Sequence, residues 1–366
     1  MRRILFAEDD EGSRDRMETA VGDWNEAEKA NGRAFAIEPV TSEAEVKFAL
    51  ENRKFDCALF DLRLPRGAAG KPSPAVGNTL ALATMRKRGV PVALVTANQA
   101  EVSDELRGIE LIKQFDKGDA NVYKSVVDWL GDQWAMMEVL AEAKAEIEAS
   151  AADVFLKRLW PQWGQYAALN KVDSAQLSKM VARQYVSHMA ELLGADGEGS
   201  ISWHPFEAYV KPAVYDKRAH TGDIFRFDDG LWIVLSPQCD MATAKIPNAL
   251  LCKTSEGITE WAEMLAATGD GASNKEKAKA TKFFASLTNQ NRSVSQHFLP
   301  PLPGEKKPLL VEFGQLRSIP LGDLQAALDK RLASLAASFL SNLVQRFGAY
   351  ISRAGQPNLD VAHFDA

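Results

Sequence analysis

Two short segments concentrate carboxylates at the ends of apolar runs. Residues 4–10, ILFAEDD, close on Glu8, Asp9 and Asp10, and residues 55–65, FDCALFDLRLP, carry the lone Asp61 ahead of a turn at Pro65. A carboxylate at the end of a buried strand is costly unless a charged group meets it there. A cluster of ionised carboxylates repels itself, so it either holds protons or binds a hard cation, and oxygen ligands with open positions suit Mg²⁺. A metal there would neutralise Asp61 and leave it nucleophilic. Residues 91–98, PVALVTAN, carry Thr96, and residues 114–118, QFDKG, carry Lys117. A hydroxyl and an ammonium beside such a cluster are what a transferred phosphoryl group needs, since positioning and electrostatics do most of the work in that chemistry.

Strands that end at these residues must bring them together. Residues 4–7, 35–40, 57–60, 90–95 and 110–115 read as strands. Helices are predicted at 12–29, after Thr41-Ser42-Glu43 with a hydroxyl N-cap, at 79–88, at 101–107 and from Ala120 onward. A Gly/Pro/Ser-rich loop spans 66–78. Such alternation predicts an α/β fold with a doubly wound parallel sheet of five strands, whose ligands bind beyond the carboxyl ends of the strands. Glu8, Asp9, Asp61, Thr96 and Lys117 all fall at such ends.

On these motifs residues 1–133 resemble the receiver (flavodoxin-like) domain of two-component response regulators. RILFAEDD is similar to that family's first-strand acidic motif, DLRLP to its phosphoacceptor strand and turn, PVALVTAN to its threonine strand, and DKG to its lysine turn. The resemblance implies that Glu8, Asp9, Asp61 and the backbone carbonyl of Arg63 hold Mg²⁺. It further implies that Asp61 accepts a phosphoryl group from a phosphohistidine, that Thr96 hydrogen-bonds that group and that Lys117 pairs with it. Asp10 becomes a flanking acid. The partner implied is a sensor histidine kinase or phosphotransfer protein. The chain departs from the pattern at Gly118, where a proline is usual, and at Gln114, where an aromatic residue commonly serves the switch. Insertions are expected near residues 24–33 and after Pro65.

Beyond this domain, apolar residues from Val126 to Leu159 keep steps of mostly three and four, which predicts a helix running up to Trp160-Pro161, a packing stripe or a homodimer seam over residues 120–160. A further helix is predicted at 172–193, ending at LGADGEGS, so residues 134–200 form a helical connector. Residues 201–366 read as an α+β output or interaction domain with a small barrel-like sheet. Residues 221–240 predict a hairpin with an Asp-Asp-Gly turn. Strands are expected at 249–253 and 309–316, and helices at 258–267, 275–287 and 321–350. TGDIF, WIVLSPQCD and the later LLVEFGQLRSI loosely resemble the SH3-like barrel of PemK/MazF-type proteins.

In that setting His220, Arg226, Ser236 and Arg317 are candidates for ribonuclease roles, with turn, strand-end and surface roles as the alternative. Cys239, Asp240, Cys252 and His297 raise a zinc site, set against buried thiols in a sheet. Lys275, Lys277, Lys279 and Lys282 read as a solvated helix face, with Phe283 and Phe284 turned to the core. Residues 297–308, HFLPPLPGEKKP, predict a loop of polyproline character.

The chain has 366 residues, 46% hydrophobic and 25% charged, and a formal net charge of −6. That balance excludes a disordered chain, and neither part has the basic excess of a nucleic-acid-binding domain. No apolar run approaches a membrane span, the acidic start argues against a signal peptide, and three cysteines fit a reducing compartment. The expectation is a cytoplasmic, atypical response regulator that takes its phosphoryl group on Asp61 and relays its state to a C-terminal domain that does not bind DNA, or to a partner. The alternatives are a receiver-gated effector enzyme such as a ribonuclease, and a phosphate sink in a phosphorelay like those of bacterial phage defence.

Overall fold

A computed structural model describes residues 1–67, 70–169, 173–194 and 203–355. The chain divides into two compact units, Met1–Ala195 and Asp196–Ala366. Most of the LGADGEGS segment lies outside the described residues. Among the described residues no helix is long and apolar enough to cross a membrane.

The first unit alternates β1 (Arg2–Ala7), α1 (Glu11–Glu28), β2 (Phe35–Val40), α2 (Glu43–Asn52), β3 (Cys57–Asp61), α3 (Pro74–Arg88), β4 (Val92–Thr96), α4 (Asp104–Arg107), β5 (Ile112–Asp116) and α5 (Val122–Asp132). The strands form one parallel sheet in the order β2-β1-β3-β4-β5, the doubly wound receiver-type fold. Both faces are covered, which is why the strands read as continuous apolar runs. Leu5, Ala58, Phe60 and Leu94 pack with Val46, Leu50, Leu80 and Leu106 on one face. Ile4, Phe6, Leu59 and Val95 pack with Met17, Val21, Val126 and Leu130 on the other. Ser42 caps α2, as its sequence position predicts.

Three boundaries differ from the sequence expectation. α3 begins at Pro74, five residues before Thr79, because Pro74 occupies the first helical turn, where its missing N–H costs nothing. The fourth predicted helix shrinks to a single 3₁₀ turn, Gln99–Glu101, followed by the four residues of α4. The expected helix over residues 120–160 is interrupted. α5 stops at Asp132, Gln133 turns its N–H back to the carbonyls of Leu130 and Gly131, and α6 (Trp134–Val154) starts anew. A π-helical turn, Phe155–Leu159, and a 3₁₀ turn containing Pro161 end it. The break packs Trp134 on Trp24 and Phe35, with ring centroids 5.8 and 5.3 Å apart. A side chain at Gly131 would lie 2.9 Å from the Trp24 indole, so the glycine admits that ring. α7 (Trp163–Ala167) and α8 (Ser174–Gly194) follow.

The second unit holds a curled antiparallel sheet. Its strands are β6 (Tyr209–Val210), β7 (Asp223–Phe227), β8 (Gly230–Val234), β9 (Asn248–Glu256), β10 (Gln296–Leu299), β11 (Leu309–Pro320) and β12 (Arg331–Leu335), in the order β10-β11-β9-β8-β7-β12-β6. α9 (Gln238–Thr243), α10 (Trp261–Ala266), α11 (Asn274–Thr288), α12 (Leu321–Ala326) and α13 (Ala337–Ile351) complete it. The hairpin turn at Asp228-Asp229 is where the sequence puts it.

A single helix over 321–350 is not formed. β12 interrupts it, because Ala333 and Leu335 alternate into the core while Arg331 pairs with the fully buried Asp223 at 2.9 Å. The predicted loop at 297–308 likewise begins inside β10, where His297 and Leu299 are buried.

Candidate functional site

Strand register assembles the acidic cluster. Ala7 pairs with Phe60, so Glu8 and Asp61, one residue further on, leave the sheet side by side. Asp61 pairs with Val95 and Thr96 with Asp116, which sets Thr96 and Lys117 at the same edge. Carboxylate oxygens of Glu8, Asp9 and Asp61 all lie within 4.8 Å of one another. Glu8 is 1% exposed and Asp61 7%, whereas Asp9 faces solvent.

Lys117 answers the charge. Its Nζ lies 2.6 Å from Asp61 Oδ2 and 2.8 Å from Glu8 Oε2. Burial alone would lower the Lys117 pKa, but hydrogen bonds and charge from Asp61 and Glu8 outweigh it and hold the group above its ordinary value. Glu8 moves up to about 6, chiefly through burial and then through the charge of Asp61, with Lys117 and the Asp10 N–H opposing. A set of three carboxylates, one protonatable near neutrality, fits a hard divalent cation.

Local structure fixes these groups. Asp10 caps α1, its Oδ2 accepting from the Ser13 N–H at 2.7 Å, and these Ser13 hydrogen bonds hold its carboxyl below the usual range. It is thereby kept out of the cluster. Arg14 donates to the backbone carbonyls of Glu8 and Asp9, each at 2.9 Å, and so pins the acidic turn. The Arg63 N–H donates to Asp61 Oδ1 at 3.1 Å, while its guanidinium pairs with Glu101. After Asp61 the chain passes under α3 at Gly77, whose N–H donates to the Leu62 carbonyl; a Cβ there would sit 2.3 Å from that oxygen.

Thr96 is at the site edge, but its hydroxyl exchanges hydrogen bonds with the backbone of Asn98. Gln114 is half-buried on β5, and the Gly118 N–H closes a turn on Asp116 Oδ1. The roles of Arg14, Arg63's side chain and Tyr123, whose hydroxyl donates to Glu8 Oε2 at 3.4 Å, escape a motif reading. They act across turns and helices where no sequence spacing marks them.

The candidates in the second unit are engaged elsewhere. Arg226 pairs with Glu256, Arg317 pairs with Asp229 and lies over Trp232 and Phe227, Ser236 accepts from the Leu250 N–H, and His220 meets the Thr221 carbonyl. Cys239 is exposed on α9, while Cys252 is buried and bonded to the Glu312 carbonyl. Burial, and then Glu312, push the Cys252 thiol up to about 12. Among the described residues Glu8, Asp9 and Asp61 converge with the spacing of metal ligands, and the zinc alternative of Cys239, Asp240, Cys252 and His297 does not. Lys275, Lys279 and Lys282 are exposed on α11, with Lys277, Phe283 and Phe284 half-buried.

No family model matches this chain, and no curated protein matches it. Solved structures resembling its N-terminal part include a CheY-like receiver domain of Methanospirillum hungatei JF-1. That structure is 20% identical, with 38% of this chain and 97% of that one covered, at a TM-score of 0.29. The chemotaxis response regulator CheY4 of Vibrio cholerae is 14% identical over 36% and 98% of the two chains, at 0.28. The HemR receiver domain of Leptospira biflexa is 25% identical over 37% and 94%, at 0.25. What the site can do follows from its own geometry. The PemK/MazF resemblance finds no support in these comparisons.

Proposed function

We propose that the protein is an atypical response regulator whose first unit accepts a phosphoryl group on Asp61. The observation that carries this reading is the bridge of Lys117 between Asp61 and Glu8 at the carboxyl edge of the sheet. An Asp61 carboxylate oxygen attacks the phosphorus of a phosphohistidine, the N–P bond breaks, and the imidazole leaves with the bonding pair. Lys117 stays with the transferred group and pairs with its oxygens. Thr96 exchanges its Asn98 contacts for one of them. Glu8, Asp9, Asp61 and the Arg63 carbonyl would hold Mg²⁺, which neutralises phosphoryl charge when bound. The donor is a histidine kinase or phosphotransfer protein, and the state is read by the second unit or by a partner with different affinity for the two states.

Intact-mass spectrometry after incubation with acetyl phosphate and Mg²⁺ tests the reading. One phosphoryl adduct is expected, absent from Asp61→Ala and from samples with chelator. A folded protein that stays unmodified with both acetyl phosphate and a cognate kinase overturns it.

A further inference from the structure

The α6–α8 hairpin carries a surface whose chemistry points to a second copy of this chain. α6 and α8 pack on one another, yet none of the 21 residues of α8 is buried. α6 spends one face on the receiver sheet through Trp134 and Met137. Val139 and Ile147 lie off that face, 64% and 49% exposed, in line with Ala143. On α8, Ala182, Val186 and Leu193 form a second exposed line at helical spacing, with Val186 63% exposed. Helices of this kind draw their stability from packing an apolar face.

The charges beside these lines are opposite. Glu138, Glu142 and Glu146 run along α6 at steps of four, and Lys179 and Arg183 run along α8 at the same step. Glu138 approaches Arg2, but Glu142, Glu146, Lys179 and Arg183 form no ion pair with any described residue. The two helices are neighbours, yet among the described residues this complementarity is left unused. One chain therefore supplies both an acidic and a basic flank, which is what a two-fold pairing of identical surfaces requires.

We propose that two copies pair hairpin to hairpin as a four-helix bundle, each α6 lying beside the α8 of the second copy and the two acidic α6 helices on the diagonal. This replaces the continuous 120–160 helix as the dimer seam. It does not depend on phosphoryl chemistry, so the test uses untreated full-length protein.

Light scattering after size exclusion and sedimentation across a concentration series should give twice the 40.1 kDa chain mass. Lys179→Glu with Arg183→Glu should weaken dimerisation about tenfold or more, and adding Glu142→Lys with Glu146→Lys should restore it. Far-UV circular dichroism checks that helicity is kept. If the reversals unfold α8, the unaltered protein still decides, because this seam must weaken as salt rises. A monomer at every concentration, a dimer indifferent to salt, or a dimer that folded reversals leave intact would overturn the proposal. A monomer whose α8 amides resist hydrogen exchange would show that another segment covers the face.

Discussion

Lys117 and Asp61 meet at 2.6 Å across the edge of a parallel sheet, and the same ammonium reaches Glu8 at 2.8 Å. One cation thus holds two buried carboxylates that would otherwise repel each other.

Lys117→Met should therefore destabilise the metal-free protein by about 3 kcal/mol, since breaking a buried pair strands the remaining charges. Divalent cation should recover much of that loss. Thermal melts with and without Mg²⁺ should show a larger metal-induced rise in Tm for the variant than for the unaltered chain. Equal rises would mean that the ion does not bind among these carboxylates.

Glu8 would make cation binding at this cluster pH-dependent. Its folded pKa of about 6 lies above the ordinary value of 4.5, so the folded form retains a proton that the unfolded chain has released. In the absence of metal its contribution to stability, about 2 kcal/mol, is present below pH 4.5 and lost as pH rises through about 6. Mg²⁺ must displace that proton. Calorimetry should show affinity falling up to about tenfold per pH unit below 6, with proton release on binding vanishing in Glu8→Gln.

Gly77→Ala tests the approach of α3 to the turn after Asp61. The new Cβ would stand 2.3 Å from a backbone oxygen of Leu62, which cannot rotate away. Overpacking of this kind costs about 1–3 kcal/mol. Because Leu62 follows Asp61 directly, the proposed function requires the rate of phosphoryl uptake to fall along with the denaturation midpoint. Stability lost with an unchanged uptake rate would separate the turn from the site.

In the second unit His297 is 3% exposed, and burial followed by the nearby Arg346 lowers its pKa to about 3. The unfolded histidine protonates near 6.5, so the stability this group contributes is complete above that value and lost as pH falls toward 3. Between pH 7 and 5 the loss should approach about 2 kcal/mol. His297→Phe should flatten that slope in urea titrations, and an unchanged slope would assign the acid sensitivity to carboxylates.

How far the fold is legible depends on where each residue is read. Runs such as CALFD and VALVT must be buried on both faces, and acids or a lysine at their ends leave few topologies that satisfy them, so the parallel sheet follows from local pattern. Residues 331–335, RLASL, are too short to separate helix from strand by period. Only the pairing of β12 with β7 and the Asp223–Arg331 contact settle that segment. Gln133 looks like any helical residue until Trp134 is seen beside Trp24 and Phe35, a contact between residues a hundred positions apart.

The acidic cluster divides in the same way. The types and order of Glu8, Asp9, Asp61, Thr96 and Lys117 are properties of the chain, and their convergence follows from parallel strands ending at one edge. That Lys117 bridges Asp61 and Glu8 is decided by tertiary structure, whereas that Asp10 caps a helix, that Arg14 clamps the acidic turn and that Thr96 faces Asn98 are short-range contacts a motif reading does not resolve. Each depends on backbone direction at a loop, where side chains compete for hydrogen bonds that no periodicity records.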